Sequence, residues 1–353
     1  MRLLLLAALI AAVTVPARAT TVRIHYDSGQ QPMLIHTARA MVAARPGPGK
    51  VWSYTWPDSA GDIDLQPALA GKGLSTGGRY RISAGTTSNI YPFFGAATGR
   101  VTLQAPLASP QLGNSRRLRI YLPPSYAENT AKRYPVLYMH DGQNLFDAAS
   151  AAYGVEWGID ETVDRLVGAG VMDEIIVVGI DNTPERIAEY TPCCDPKAGG
   201  GQVAQYQAFI TDTVKPHVDA TLRTLPGREH TAIMGSSLGG IASLVIAHGR
   251  PDVFSMAGGV SSSLWWNEMA LVRQPYPRAA LKVYLDSGAI SDGLEQTAAM
   301  RDAMLGLGYR DGHDLLYHAD PAGRHNEASW AARVHRPLAW FFPWGSTRQQ
   351  GKR

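Results

Sequence analysis

The chain reads as an α/β fold, a mostly parallel sheet with helices on both faces, preceded by a small all-β sandwich. Three observations predict this. Beyond about residue 100, strand-like and helix-like segments alternate, the rhythm that builds a parallel sheet covered on both sides. Before that point the pattern is alternating and turn-rich, and "MLIHTARAMVAA" is the one stretch there with helical length and spacing. The later run "EIIVVGID" is apolar almost throughout, as a strand buried on both faces must be. With 353 residues, 45% hydrophobic and 18% charged, the chain lies far from the disordered range and can bury a large core.

At the start, Met1-Arg2, the apolar run "LLLLAALIAAV" and Ala17-Arg18-Ala19 predict an export signal over residues 1–19, cleaved after Ala19. The run is too short for a comfortable membrane span, so no stable insertion is expected after cleavage. Losing Arg2 and Arg18 takes the formal charge from +3 to +1. A near-neutral protein with no Lys/Arg cluster gives no electrostatic basis for binding nucleic acid.

Residues 20–100 supply the sandwich strands "TVRIHYDSG", "KVWSYTWPD" and "RYRISAGTTSNIYPFF". Their aromatic residues Trp52, Tyr54, Trp56, Tyr80 and Tyr91 suit either core packing or a sugar-stacking platform. The Gly-, Pro- and Ser-containing stretch "GAATGRVTLQAPLASPQLGNS" carries the chain out, placing a boundary near residue 100. The second domain then runs over 101–345, with a polar tail at 346–353. Its strands are "RRLRIYLPPSY", "YPVLYMHDG", "EIIVVGID", "TAIM", "SMAGGVSS", "LKVYLDSG" and "DLLYHAD". Its helices begin with "EWGIDETVDRLVGAG", where Ile159, Val163, Leu166 and Val167 share a face. "QYQAFITDTVKPHVDATL", "LGGIASLVIAHG", "LEQTAAMRDAMLGLG" and "NEASWAARVHRPLAWFF" complete the set.

The sharpest chemical signal is Gly235-Ser236-Ser237-Leu238-Gly239, set between the strand "TAIM" and the helix "IASLVIAHG". A strand, a tight glycine-flanked turn and a helix are the setting in which G-x-S-x-G lifts a serine to the apex as a nucleophile. The alternative, a small-residue packing turn, fits that context less well. A serine hydroxyl needs a base, and on this fold an acid and then a histidine follow it in the chain. Of His248, His313, His318, His325 and His335, His325 stands on the loop after the last strand, at the same sheet edge as Ser237. For the acid, Asp292 on the loop beyond "LKVYLDSG" is preferred to Asp286 inside that strand, with Glu295 a distant third. The amide of Leu238, with that of Gly142 or Gln143 after "PVLYMHDG", would form an oxyanion hole. The adjacent Cys193 and Cys194 suit a vicinal disulfide and have no second pair to complete a zinc site. No H-E-x-x-H appears, and no metal or cofactor is expected.

The segments "RYPVLYMHDGQNLFD", "EWGIDETVDRL", "IIVVGIDNTPERIAEYTP", "MGSSLGGIAS" and "GRHNEASW" cover most of residues 105 to 345 in order. Together they resemble the esterase D family of α/β-hydrolases, which includes feruloyl, acetyl-xylan and enterobactin-type siderophore esterases. The resemblance implies an α/β-hydrolase fold, with Ser237 as nucleophile, His325 as base and Asp292 as acid. It also implies a substrate cleft lined by Arg186, Glu189 and Tyr190 of "DNTPERIAEYTP" and by Trp157 of "EWGIDETVDRL". Arg186 would hold an anionic substrate group or pair with Glu189. The first 100 residues resemble β-sandwich appendages of exported esterases, which bind carbohydrate or shape the cleft.

The resulting expectation is a periplasmic or secreted serine ester hydrolase acting on a small-molecule or polysaccharide ester. The leading substrate class is carbohydrate-linked acetyl or feruloyl groups, and the alternative is a siderophore trilactone. A catalytically inert carbohydrate-binding protein is the rival from another class, and it requires an empty triad position.

Overall fold

The computed structural model describes residues 18–346 apart from Ala60 and Ala96. Of the expected signal segment 1–19 and polar tail 346–353, residues 1–17 and 347–353 lie outside the described residues.

The first part of the chain forms two sheets over a shared apolar core. One contains Arg18–His25, Arg45–Pro46, Val51–Ser59 and Thr87–Ile90; the other contains Met33–Thr37, Met41–Ala43, Ile63–Leu69, Gly73–Leu74 and Tyr80–Ile82. Strand alternation builds the core: Val22 and Ile24 point inward around exposed Arg23, and meet Met33, Ile35, Leu65 and Ile90. "MLIHTARAMVAA" is therefore a hairpin and not a helix, with Ile35 opposite Val42. Its apolar residues find partners across strands, since Met33–Thr37 also pairs antiparallel with Ile63–Leu69, a strand that the sequence reading did not identify. Tertiary pairing overrides local helical spacing here. Glu128 ties this part to the rest by accepting from Tyr26 Oη (2.7 Å) and from the N–H groups of Phe94 (2.9 Å) and Gly95 (2.8 Å).

The remainder is an eight-stranded sheet. Its strands are β1 (Arg100–Leu103), β2 (Leu118–Leu122), β3 (Val136–His140), β4 (Ile176–Ile180), β5 (Thr231–Ser236), β6 (Met256–Val260), β7 (Lys282–Ile290) and β8 (Leu315–Arg324). The spatial order is β1-β2-β4-β3-β5-β6-β7-β8, antiparallel from β1 to β4 and parallel from β4 onward. β3, β4, β5 and β6 are buried at every position because both faces are covered. Val136, Tyr138 and Val178 face one apolar cluster, while Leu137, Met139 and Val177 face the other.

Two segments depart from the sequence reading. The expected connector after residue 100 supplies the edge strand β1 and a hairpin of Leu107–Ser109 with Asn114–Arg116. The helix expected over 205–222 runs as Val203–Phe209, a π-helical stretch Ile210–Val214 and Lys215–Thr221. The wide turn directly precedes Pro216, which has no N–H to return to the preceding turn.

Candidate active site

Four loops leave the carboxyl ends of β3, β5, β7 and β8 on one edge of the sheet, where ligands bind in folds of this kind. Between β5 and the helix Leu238–Gly249, Ser237 adopts φ 56° and ψ −121°, a conformation that costs a non-glycine residue on the order of 1–3 kcal/mol. Gly235 makes the turn sterically feasible. A Cβ there would come within 2.8 Å of His140 Cδ2 and 2.9 Å of the Gly239 carbonyl carbon. The elbow thus combines a strained apex with backbone approach that only glycine allows.

His325, directly after β8, places Nε2 3.0 Å from Ser237 Oγ, and its Nδ1 lies 2.8 Å from Asp292 Oδ1. The Asp292 carboxylate is fully enclosed, whereas the imidazole is 37% exposed and reaches the cleft. Burial alone would raise the Asp292 pKa, but hydrogen bonds from His325, Ser261 and the Gly288 N–H outweigh it and hold the carboxyl below its ordinary value. Ser261 Oγ donates to Asp292 Oδ2 at 2.5 Å and the Gly288 N–H at 2.7 Å. The Trp330 and His325 rings meet in a T-shaped arrangement with 5.2 Å between centroids.

Asp286, the competing acid, is turned elsewhere. It accepts from Tyr284 Oη at 2.8 Å and pairs with the buried Arg333 at 3.0 Å. Burial raises its pKa even against that ion pair. Arg333 also reaches Ser261 Oγ (2.5 Å) and Asp292 Oδ2 (3.5 Å), so one enclosed guanidinium serves two enclosed carboxylates. Of the remaining candidate histidines, His248 is held by the Leu244 carbonyl and Tyr309 Oη, and His313 lies beside Arg310. His335 is directed to the Ala332 carbonyl, and His318 belongs to β8.

As the first residue of its helix, Leu238 has an N–H with no intrahelical acceptor. Gly142 and Gln143 follow Asp141, whose backbone is left-handed at φ 55° and ψ 48°. A Cβ on Gly142 would lie 2.6 Å from the Gly179 carbonyl carbon, so the loop sits tightly on β4. Gln143 is held through its side-chain oxygen, which accepts from the Asn182 N–H (3.2 Å), and its carbonyl, which accepts from Ser150 Oγ (2.7 Å).

The cleft above Ser237 has a volume of about 550 Å³ and is bounded by Asp141, Asn144, Tyr153, Val155, Asn182, Arg186, Glu327 and Trp330 among others. Arg186 belongs to this wall, but its partner is Asp141, through contacts of 2.7 and 2.8 Å, and not Glu189. The remaining expected cleft contacts are corrected by burial. Glu189 is enclosed with Arg116 at 2.7 Å, and Tyr190 is enclosed beneath the loop, its Oη accepting from the Asp141 N–H at 3.2 Å. Trp157 is 3% exposed and packs on Trp330 at 5.6 Å, so none of these three lines the cleft. The family resemblance implied a cleft role for them, whereas in the fold they fill core and neutralise Arg116. Ser261, Ser263, Trp330 and Arg333 were missed; the serine run after β6, at the active edge, was the available signal.

Cys193 and Cys194 are joined as a vicinal disulfide. Among the described residues, Glu156, Asp160 and Glu161 bring potential ligand oxygens within 4.8 Å of one another. Burial and the neighbouring Glu161 push the Asp160 carboxyl up to about 7.

The Esterase family model matches residues 109–341. A siderophore enterobactin esterase of Emericella nidulans is 26% identical over 165 residues, 41% of this chain and 51% of that protein. The chain spans between about half and two thirds of the length of the first curated relatives it matches. Among solved structures, a ferulic acid esterase superposes with a TM-score of 0.57 at 20% identity, covering 69% of this chain and 98% of that one. An enterobactin esterase from Shigella flexneri, crystallised in the presence of enterobactin, gives 0.56 at 14% identity over 92% of this chain and 88% of that one. The chain belongs to the Esterase family and carries its α/β-hydrolase fold.

Proposed function

We propose that the protein is a serine carboxylic-ester hydrolase. The observation that carries this reading is the line of contacts from Ser237 Oγ through His325 (3.0 Å) to Asp292 (2.8 Å) at the base of the cleft. His325 takes the Ser237 proton as the serine attacks the ester carbonyl, and returns it to the leaving alcohol; Asp292 holds the imidazole in the required tautomer. The Leu238 amide, with Gly142 or Gln143, receives the oxyanion. Water then releases the acyl group by the same route in reverse.

The substrate is a neutral acyl ester, of the carbohydrate-linked acetyl or feruloyl class. Tyr153, Val155 and Trp330 offer apolar and aromatic surface, and the cleft's one lining cation among the described residues, Arg186, is already neutralised by Asp141. Such a wall suits an uncharged aromatic or short acyl group and gives little to a multiply anionic ligand. One observation favours the second reading, a siderophore trilactone esterase. The superposition on the enterobactin esterase extends over 92% of the chain and so reaches well into the first 100 residues. Residues 20–100 are proposed as an accessory β-sandwich domain, and export rests on the pattern of residues 1–19.

Hydrolysis of short-chain p-nitrophenyl esters by the wild-type protein beside Ser237→Ala tests the reaction class. Turnover by the wild type alone supports it. Equal activity of both, or an inactive wild type that also resists a fluorophosphonate probe, moves the inert binding protein to the front. A panel of feruloyl, acetyl-sugar and siderophore esters then ranks the substrates.

A further inference from the structure

We propose that Ser263 belongs to the reaction centre, where its hydroxyl donates a hydrogen bond to Ser237 Oγ and stabilises the charge that gathers on that atom. The inference rests on the serine-hydrolase reading above.

Ser263 Oγ lies 3.2 Å from Ser237 Oγ. Ser237 has one proton, directed at His325 Nε2, because the other ring nitrogen faces Asp292 and carries the imidazole hydrogen. The proton in the serine–serine contact must therefore come from Ser263. Its side chain has no other hydrogen-bond partner among the described residues, and the residue is 3% exposed, so solvent offers no substitute.

The backbone holds this hydroxyl in place. The Ser263 N–H donates to the Ser237 carbonyl (2.9 Å), the Ser237 N–H to the Val260 carbonyl (3.0 Å), and the Trp266 N–H to the Ser263 carbonyl (3.0 Å). Trp266 is itself anchored by its Nε1, which donates to the Pro192 carbonyl at 3.0 Å. A donor fixed before the reaction begins needs no reorganisation when charge develops, which is the condition for electrostatic stabilisation in an active site. The same run after β6 also reaches the acid, since Ser261 Oγ donates to Asp292. One short segment thus contacts both ends of the Ser237–His325–Asp292 line.

In the first half-reaction a bond forms between Ser237 Oγ and the ester carbonyl carbon, the Ser237 proton moves to His325 Nε2, and the carbonyl π pair moves onto its oxygen. As that pair returns, the ester C–O bond breaks and the departing oxygen takes the proton from His325. In the second half, water adds to the acyl carbon and gives a proton to His325, and Ser237 Oγ departs and regains it. Ser263 keeps its own proton throughout. Its hydrogen bond is strongest when Ser237 Oγ is most negative, on entering and on leaving the tetrahedral intermediate.

The test compares Ser263→Ala, Ser263→Thr and Ser263→Val with wild type and Ser237→Ala, using p-nitrophenyl acetate turnover and the rate of fluorophosphonate labelling. Loss of one such hydrogen bond is expected to lower kcat by about five- to tenfold with KM unchanged, and to slow labelling by the same factor. Ser263→Thr should retain most of the wild-type rate while Ser263→Val should not. Thr and Val share a shape, so this comparison stands even where the Ala variant folds poorly. A Val variant as fast as Thr, or an Ala variant with wild-type kcat and labelling, overturns the proposal while leaving Ser237 essential. An active Ser237→Ala variant instead removes the serine-hydrolase reading, and this inference with it.

Discussion

Asp292 Oδ1 stands 2.8 Å from His325 Nδ1, while Asp286, inside the strand that leads to the Asp292 loop, is turned away to Arg333 at 3.0 Å. Both carboxylates are enclosed but have different partners, and this separates their expected effects. Asp292→Asn should leave the protein folded and lower kcat by about 10³- to 10⁴-fold, because the imidazole loses the group that fixes its tautomer. Asp286→Ala should instead destabilise the fold by about 3–5 kcal/mol by leaving a buried guanidinium short of a partner. Steady-state kinetics beside urea unfolding distinguish the two; the reverse pattern would move the acid to Asp286.

His140 predicts a specific pH dependence of stability. Burial lowers its pKa from 6.5 to about 4, and its Nδ1 is engaged with Tyr206 Oη at 2.9 Å. The unfolded chain therefore binds this proton at a higher pH than the folded chain does. Stability from this group is complete above about pH 6.5 and declines as pH falls toward about 4, where the folded form also begins to protonate. Denaturant midpoints measured across that window should fall with acidification, and His140→Asn should flatten the slope by the contribution of one proton.

At the elbow, Gly235→Ala places a methyl 2.8 Å from His140 Cδ2. Neither His140 nor the Gly239 backbone has room to retreat, so stability should fall by about 1–3 kcal/mol and ester hydrolysis should fall with it. A variant of wild-type stability and rate would show that the turn tolerates a side chain, contrary to the geometry.

Arg186 is committed to Asp141, next to the Gly142–Gln143 loop. Arg186→Ala should therefore lower kcat for neutral and anionic esters by a similar factor, about tenfold, by loosening that loop and leaving a buried carboxylate unpaired. A selective loss on anionic esters, expressed in KM, would instead assign the guanidinium to substrate binding.

The parts of this arrangement legible in the sequence are those with local causes. The strands β3 to β6 and the helix Leu238–Gly249 follow from short, nearly continuous apolar runs bounded by turn residues and glycines. Ser237, Asp292 and His325 could be picked out because each stands just beyond a strand, and loops that leave the same sheet edge meet in space. The failures share another cause. "MLIHTARAMVAA" carries apolar spacing compatible with a helix, and became a hairpin because Ile63–Leu69 lay beside it as a pairing partner. Glu189, Tyr190 and Trp157 have side chains suited to binding a ligand, but burial spends them on Arg116, on Asp141 and on Trp330.

The sequence by itself thus determined the alternation of strands and helices from β2 onward, the tight turn at Ser237 and the positions of Ser237, Asp292 and His325 just beyond their strands, since apolar runs, glycine spacing and position after a strand are properties of short segments. Only the tertiary structure decided the pairings: Arg186 with Asp141, Arg333 between Asp286 and Asp292, and Ser263 against Ser237. A charge or hydroxyl removed from water must find a partner within hydrogen-bond reach, and these partners come from segments far apart in the chain. Which of them arrives there depends on how whole layers pack, and no local pattern records it.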